Sequence, residues 1–173
     1  MEECLQQRLT QAIKVAIMAG AYLSERYNQR ETIIEYKGEG FDVGNIVTIA
    51  DRESEEIILQ NIRRYFPEDS IYSEEKGWQK KEEAKYTWYI DPLDGTSNFA
   101  RENPLYGISI GLEDNGQAVL GVLYFPELRL MIEAVRGYGA IATNLSSFNN
   151  RRKIGVSKNS LEKSLYYGGG YYK

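Results

Sequence analysis

The connections between residues 112 and 130 are too short for anything but antiparallel strands. Glu113-Asp-Asn-Gly116 separates Tyr106 to Leu112 from Ala118 to Phe125, and Pro126-Glu127 separates that run from Leu130 to Val135. Turn residues of this kind between apolar, β-branched runs mark hairpins, whereas parallel neighbours need a crossover of about a dozen residues or more. Thr87 to Ile90 reads as a strand ahead of this meander. Ala140 to Ala142, Lys153 to Val156 and Ser164 to Tyr167 read as further short strands, with a helical turn over Ser157 to Lys163.

The amino-terminal part has a different period. Leu5, Leu9, Ile13, Ala16, Gly20, Leu23 and Tyr27 recur at steps of three and four, which predicts a helix closed by Asn28. Thr32 to Lys37 is β-rich and runs into a Gly38-Glu-Gly40 loop. Asn45 to Asp51 leads into a second helix with Ile58, Ile62 and Phe66 on its buried side and Pro67 as its stop. Asp51, Glu53, Glu55 and Glu56 crowd its start, and Arg63 and Arg64 its end, as the helix dipole favours. The charged stretch from Lys76 to Lys85 is expected to be an exposed loop. Two helices followed by a meander predict an α+β fold, the helices packed on a mostly antiparallel sheet.

Two absences narrow the chemistry. The 173 residues include no histidine, and Cys4 is the only cysteine, so imidazole bases, thiolate clusters and intrachain disulfides are excluded. A bound metal would therefore be held by oxygen, which favours magnesium, calcium or manganese. The net charge is −4 with scattered basic residues, so neither nucleic acid nor a membrane is expected as a partner. No apolar run approaches the roughly 18 residues that span a bilayer. The start, Met1-Glu-Glu-Cys4, is acidic and unlike a leader, so a soluble cytoplasmic protein is expected.

The informative stretch is Trp88-Tyr-Ile-Asp91-Pro-Leu-Asp94-Gly-Thr96-Ser-Asn-Phe99. Two acids stand three apart at the end of a hydrophobic strand, with Pro92 stiffening the backbone and Gly95 permitting a tight turn. Gly95, Thr96 and Ser97 then open a short helix, whose start offers amide donors and positive potential to an anion such as phosphate. Carboxylates beside a phosphate cradle repel their ligand unless cations lie between, which describes a divalent-metal phosphate site. The plainer reading, that Asp94 caps a helix and Asp91-Pro92 is a turn, fits either pair alone.

The whole string resembles the signature Trp-x-Ile-Asp-Pro-Ile/Leu-Asp-Gly-Thr-x-Asn-Phe of the inositol monophosphatase family. Ser73-Glu74-Glu75 resembles that family's Gly-Glu-Glu element, with serine in place of the glycine. Val47-Thr-Ile-Ala-Asp51 resembles its Val-Thr-x-x-Asp element, and Tyr106 to Leu112 looks like the strand that follows the signature. The resemblance implies that residues 1–173 form the amino-terminal α+β domain of the layered sugar-phosphatase fold, the second α/β domain being absent. It implies that Glu74, Asp91 and the Leu93 carbonyl hold one Mg2+, while Asp91 and Asp94 share a second. Asp51 and Thr96 would then orient and deprotonate the attacking water. The amides of Gly95 and Thr96, with Ser97 beside them, would bind phosphate. The implied reaction is Mg-dependent hydrolysis of inositol monophosphate or a sugar phosphate, and the run Asp-Gly-Thr-Ser-Asn-Phe favours these over nucleotide phosphates. A homodimer is also implied.

Other readings stay open for several of these residues. Glu74 and Glu75 also suit a solvated pair at a strand end, and Asp51 an ordinary first-turn acid. Thr48 suits helix entry. Lys37 and its glycines resemble a lysine-bearing loop of the family but equally a surface turn. Trp78 and Trp88 read as packing or loop aromatics, and the 14 tyrosines show no stacking pattern. Family members are longer and carry a Trp-Asp motif in their second domain, whereas Trp78 precedes Gln79 and Trp88 precedes Tyr89 here. The resemblance thus also allows an inactive metal-binding or interaction module, or a truncated fragment needing a carboxy-terminal partner, with apolar sheet surface left exposed.

Overall fold

A computed structural model describes residues 2–29, 34–36, 46–147, 150–158, 160 and 162, with backbone alone at 34–36 and 46–48. Its elements in chain order are α1 (Glu3–Gln29), β1 (Ile34–Tyr36), β2 (Ile46–Thr48), α2 (Ile49–Tyr65), β3 (Ser70–Ser73), β4 (Gly77–Gln79) and β5 (Tyr86–Asp94). There follow α3 (Thr96–Ala100), β6 (Gly107–Asp114), β7 (Gln117–Phe125), β8 (Leu130–Val135), β9 (Gly139–Asn144) and β10 (Arg151–Ile154). Eight strands form one sheet in the order β10-β9-β8-β7-β6-β5-β3-β4, and β1 pairs with β2 apart from it. Every neighbouring pair in the large sheet is antiparallel except β3 and β5. The chain turns back through β4 at the edge before β5 enters beside β3, which makes that pair parallel. The α+β expectation holds, with the short α3 as a third helix.

Alternation along the strands turns one sheet face to the helices. Trp88 and Ile90 of β5, Ile108, Ile110 and Leu112 of β6, and Leu120, Val122 and Tyr124 of β7 are buried with Leu9, Val15, Ala16, Ala19 and Leu23 of α1 and Ile58, Leu59 and Ile62 of α2. α1 lies so close to β7 that a Cβ at Gly20 would run into the Tyr124 ring. The opposite face is partly exposed, with Tyr72, Trp78 and Leu123 open to solvent. A groove of about 630 Å³ lies among Val119, Gly121, Ala134, Ala140 and Ile154.

The strand read over Lys153 to Val156 lies at Arg151–Ile154, the lead-in to α2 contains the unread strand Ile46–Thr48, and three further segments need adjustment. The stretch from Lys76 to Lys85 is not all loop, because Gly77 to Gln79 form β4, paired in register with Ser73 to Ile71. Three residues on an edge are too few for a period to show. Second, the strand read over Thr87 to Ile90 runs from Tyr86 to Asp94, with a register shift between Asp91 and Asp94 where Pro92 has no amide to donate. Third, the turn before β7 is only Asn115-Gly116, both left-handed (φ 47° and 83°), so Glu113 and Asp114 belong to β6. That two-residue geometry matches the twist of the flanking strands. The turn read over Ser157 to Lys163 lies largely outside the described residues. Wholly outside them are the strand from Ser164 to Tyr167, Lys37 with its glycine loop, and the Thr48 side chain. Among the described residues, no helix is long and apolar enough to cross a membrane.

A polar knot anchors the base of β5. The Arg8 guanidinium pairs with Asp69 through two bonds (2.9 and 3.2 Å) and lies over the rings of Tyr86 and Phe66 (4.0 and 4.6 Å). Trp88, fully buried, stacks on Phe66 and donates its indole N–H to Asp69 at 2.9 Å. The tryptophan that opens the long motif is thus a core residue tying α1 to the strand that ends in Asp91.

Candidate metal and phosphate site

The site forms where β5 ends and α3 begins. The Leu93 amide donates to Asp91 Oδ1 at 3.1 Å, an Asx-type turn that brings the chain round to Asp94. Gly95 has φ 84°, and a Cβ there would meet the Leu105 carbonyl at 3.0 Å, so only glycine makes this corner without strain. Its carbonyl accepts from the amides of Asn98 and Phe99 (2.8 and 3.0 Å), so the amides of Thr96 and Ser97 stand ahead of the first intrahelical bond. Buried Phe99 holds α3 down against Tyr106 and Tyr27.

Helix α2 grips this corner from behind. Thr96 Oγ1 lies 2.9 Å from Asp51 Oδ1 and 3.0 Å from the Leu93 carbonyl, and Ser54 Oγ donates to the Pro92 carbonyl at 2.8 Å. Residues three apart share a helix face, which is why Asp51 and Ser54 act together. Asp51 is only 2 % exposed, so it is no ordinary solvated first-turn acid.

The third contribution comes from β3. The Glu74 amide donates to the Ile90 carbonyl at 3.0 Å, extending the parallel pairing by one residue and setting Glu74 beside Asp91. The Asp91 carboxyl is pushed up to about 7, first by burial, then by the charges of Glu74 and Asp94 and a side-chain hydrogen bond with Glu74, against a smaller opposing effect of the Leu93 amide. Among the described residues, no three acidic side chains form a finished cation cage. Glu74 and Asp91 instead meet as a pair, with Asp94 acting on Asp91 through its charge. Crowded carboxylates repel when all are ionised, and either a shared proton or a cation relieves them. This oxygen-only donor set, with the Leu93 carbonyl beside it, suits a hard divalent cation.

The sequence reading missed one member of this neighbourhood. Glu55, grouped there with the first-turn acids, is fully buried, whereas Glu53 is exposed and Glu56 half-buried. Its Oε1 accepts from the amides of Glu75 and Lys76 at 3.1 and 3.0 Å. Its place four residues after Asp51, on the same helix face, was the available signal. The tyrosines also cluster more than the reading allowed. Tyr72, Trp78 and Tyr89 meet on the outer sheet face across three adjacent strands, at centroid distances of 5.0 to 6.1 Å.

Comparison with known proteins agrees with this architecture. Residues 5–170 match the model of the inositol monophosphatase family. The inositol-1-monophosphatase of Synechocystis sp. is 38% identical over 169 residues, which are 97% of this chain and 55% of that protein. The fructose-1,6-bisphosphatase/inositol-1-monophosphatase of Thermotoga maritima is 35% identical over 165 residues, 95% of this chain and 59% of that protein. The solved inositol monophosphatase from Anabaena (Nostoc) sp. superposes with a TM-score of 0.71 at 37% identity, covering 90% of this chain and 52% of that one. The chain spans about half the length of the curated relatives it matches. With the signature string, the layered fold and a family match over nearly all its residues, the chain belongs to the inositol monophosphatase family.

Proposed function

We propose that this chain is the amino-terminal domain of a Mg-dependent phosphomonoesterase that hydrolyses inositol monophosphate or a sugar phosphate. The observation that carries the reading is the pairing of Glu74 with Asp91 at the corner where Asp51 holds Thr96. Glu74, Asp91 and the Leu93 carbonyl would hold one Mg2+, and Asp91 and Asp94 a second. Bound there, Mg2+ supplies a lowered water pKa and charge to offset that of the phosphate. The chain's own groups do the rest. The amides of Gly95, Thr96 and Ser97 hold phosphate oxygens at the start of α3. Thr96 Oγ1 takes a proton from the attacking water as it passes its own to Asp51, which stands in for the absent histidine. The products are inorganic phosphate and an alcohol. A cytoplasmic homodimer acting on small phosphorylated substrates belongs to the same reading.

A second reading is a metal-binding module that turns nothing over without a carboxy-terminal partner. One observation favours it, the lack of a finished cage among the described residues. Calorimetric Mg2+ titration, run beside phosphate-release assays on inositol 1-phosphate and fructose 1,6-bisphosphate, separates the two. Turnover by the chain alone establishes the enzyme, and metal uptake without turnover the module. A chain that neither takes up Mg2+ nor releases phosphate defeats both.

A further inference from the structure

Glu55 is an expensive residue to bury. A carboxylate taken out of water must recover its lost solvation from hydrogen bonds, and an apolar side chain of similar size would fill the space without that cost. Glu55 is fully buried, yet its Oε2 has no hydrogen-bond partner, so Oε1 alone supplies the compensation seen. Both bonds of Oε1 go to one short piece of backbone, the amides of Glu75 and Lys76. That piece is the turn between β3 and β4, and β4 is a three-residue strand at the sheet edge. An edge hairpin of this size has little stability of its own.

The geometry points to Glu55 as a positioning residue for Glu74, an inference that rests on the metal-site reading above. Three consecutive amides are committed to the two elements that flank the site. The amide of residue 74 bonds β5 at Ile90, and those of 75 and 76 bond α2 through Glu55. Glu74 is thus held from both sides, and its carboxylate is kept against Asp91. Asp51 and Glu55, one turn apart on α2, divide the work. The first steadies Thr96 on the phosphate side, and the second steadies Glu74 on the metal side. Without Glu55, the turn loses both of its backbone bonds to α2 and keeps there only the surface pair of Lys76 with Glu56, so Glu74 is placed less firmly.

Mn2+ titration followed by electron paramagnetic resonance, with amide hydrogen exchange on the same samples, tests this. Glu55→Ala is expected to weaken Mn2+ binding about tenfold or more, the usual cost of losing a group that orients a ligand. It also speeds exchange at Glu75 and Lys76 while the α2 amides stay protected. Glu55→Gln keeps an acceptor for both amides and stays close to the parent in each measurement. Leu9→Ala, a core change away from the site, lowers the melting temperature and leaves Mn2+ affinity unchanged. Should Glu55→Ala fail to fold, Glu55→Asp, one methylene shorter, is expected to show the same two losses in milder form. Unchanged Mn2+ affinity, or unchanged exchange at Glu75 and Lys76, overturns the inference. A parent chain that takes up no Mn2+ overturns the functional reading instead, and the exchange of the two amides then decides by itself whether Glu55 holds the turn.

Discussion

Thr96 Oγ1 stands between two acceptors, 2.9 Å from Asp51 Oδ1 and 3.0 Å from the Leu93 carbonyl, and has one proton for both. With that proton turned to Asp51, the oxygen's lone pairs stay available to an incoming donor. Thr96→Val removes the relay and is expected to lower phosphate release at saturating Mg2+ by about 10² or more, as loss of a general base does. Thr96→Ser keeps the hydroxyl and most of the rate. The valine variant also loses a part-buried hydrogen bond, which costs about 1–3 kcal/mol in urea unfolding. Equal rates for the two variants would remove Thr96 from the chemistry.

The Asp91 pair makes stability depend on pH in a direction unusual for an acid. Burial and the charges of Glu74 and Asp94 push its carboxyl up to about 7 in the folded chain, against an ordinary value of 3.8. Between those values the folded state holds a proton that the unfolded state has released, so stability falls as pH rises from about 4 through 7. In chelator the melting temperature is expected to drop across that interval, and Asp91→Asn to flatten the slope. Mg2+ favours the ionised form and is expected to restore most stability at the upper end, with proton release on binding. A slope unchanged by Asp91→Asn would assign the titration to another group.

Much of this arrangement is legible in the sequence because it is local. The order of strands from 107 to 135 follows from turn residues that admit only hairpins, and the corner at Gly95 from a residue type that alone tolerates φ 84°. The role of Asp51 is half legible, since acids are common at helix starts and only the fold shows that this one turns inward to Thr96. What stays hidden is non-local. Nothing in the charged run after Ser73 marks Gly77 to Gln79 as a strand, because its pairing with β3 is made by the turn and the edge rather than by a period. Glu55 looks like its half-buried neighbour Glu56, and the difference lies in which amides of a distant turn pass by.

Asp69 is the hinge of the knot beneath β5. It accepts from Arg8 and from the Trp88 indole, and the side chains of Arg8 and Asp69 are 13% and 6% exposed. Removing one partner of a buried pair strands the other charge, so Asp69→Ala is expected to cost about 3–5 kcal/mol. Arg8→Met, which keeps the stem between the Tyr86 and Phe66 rings, leaves Asp69 its indole bond and is expected to cost less. Chemical denaturation with Trp88 fluorescence as the probe measures both, and a smaller loss for Asp69→Ala than for Arg8→Met would reverse the assignment.

Two buried serines on β3 give the last contrast. Ser70 Oγ accepts from the Lys81 amide at 2.9 Å, closing the irregular segment after β4 back onto the sheet edge. Ser73 Oγ, fully buried beside Glu74, has no hydrogen-bond partner. A satisfied buried hydroxyl contributes, whereas an orphaned one carries only its desolvation cost. Ser70→Ala is therefore expected to lose about 1 kcal/mol, and Ser73→Ala to be neutral or to gain a similar amount. Alanine keeps the Cβ, so the space is not emptied and the backbone is not freed as glycine would free it. Matched urea titrations of the two variants check the sign, and a loss at Ser73 equal to that at Ser70 would mean that its hydroxyl has a bonding partner in solution.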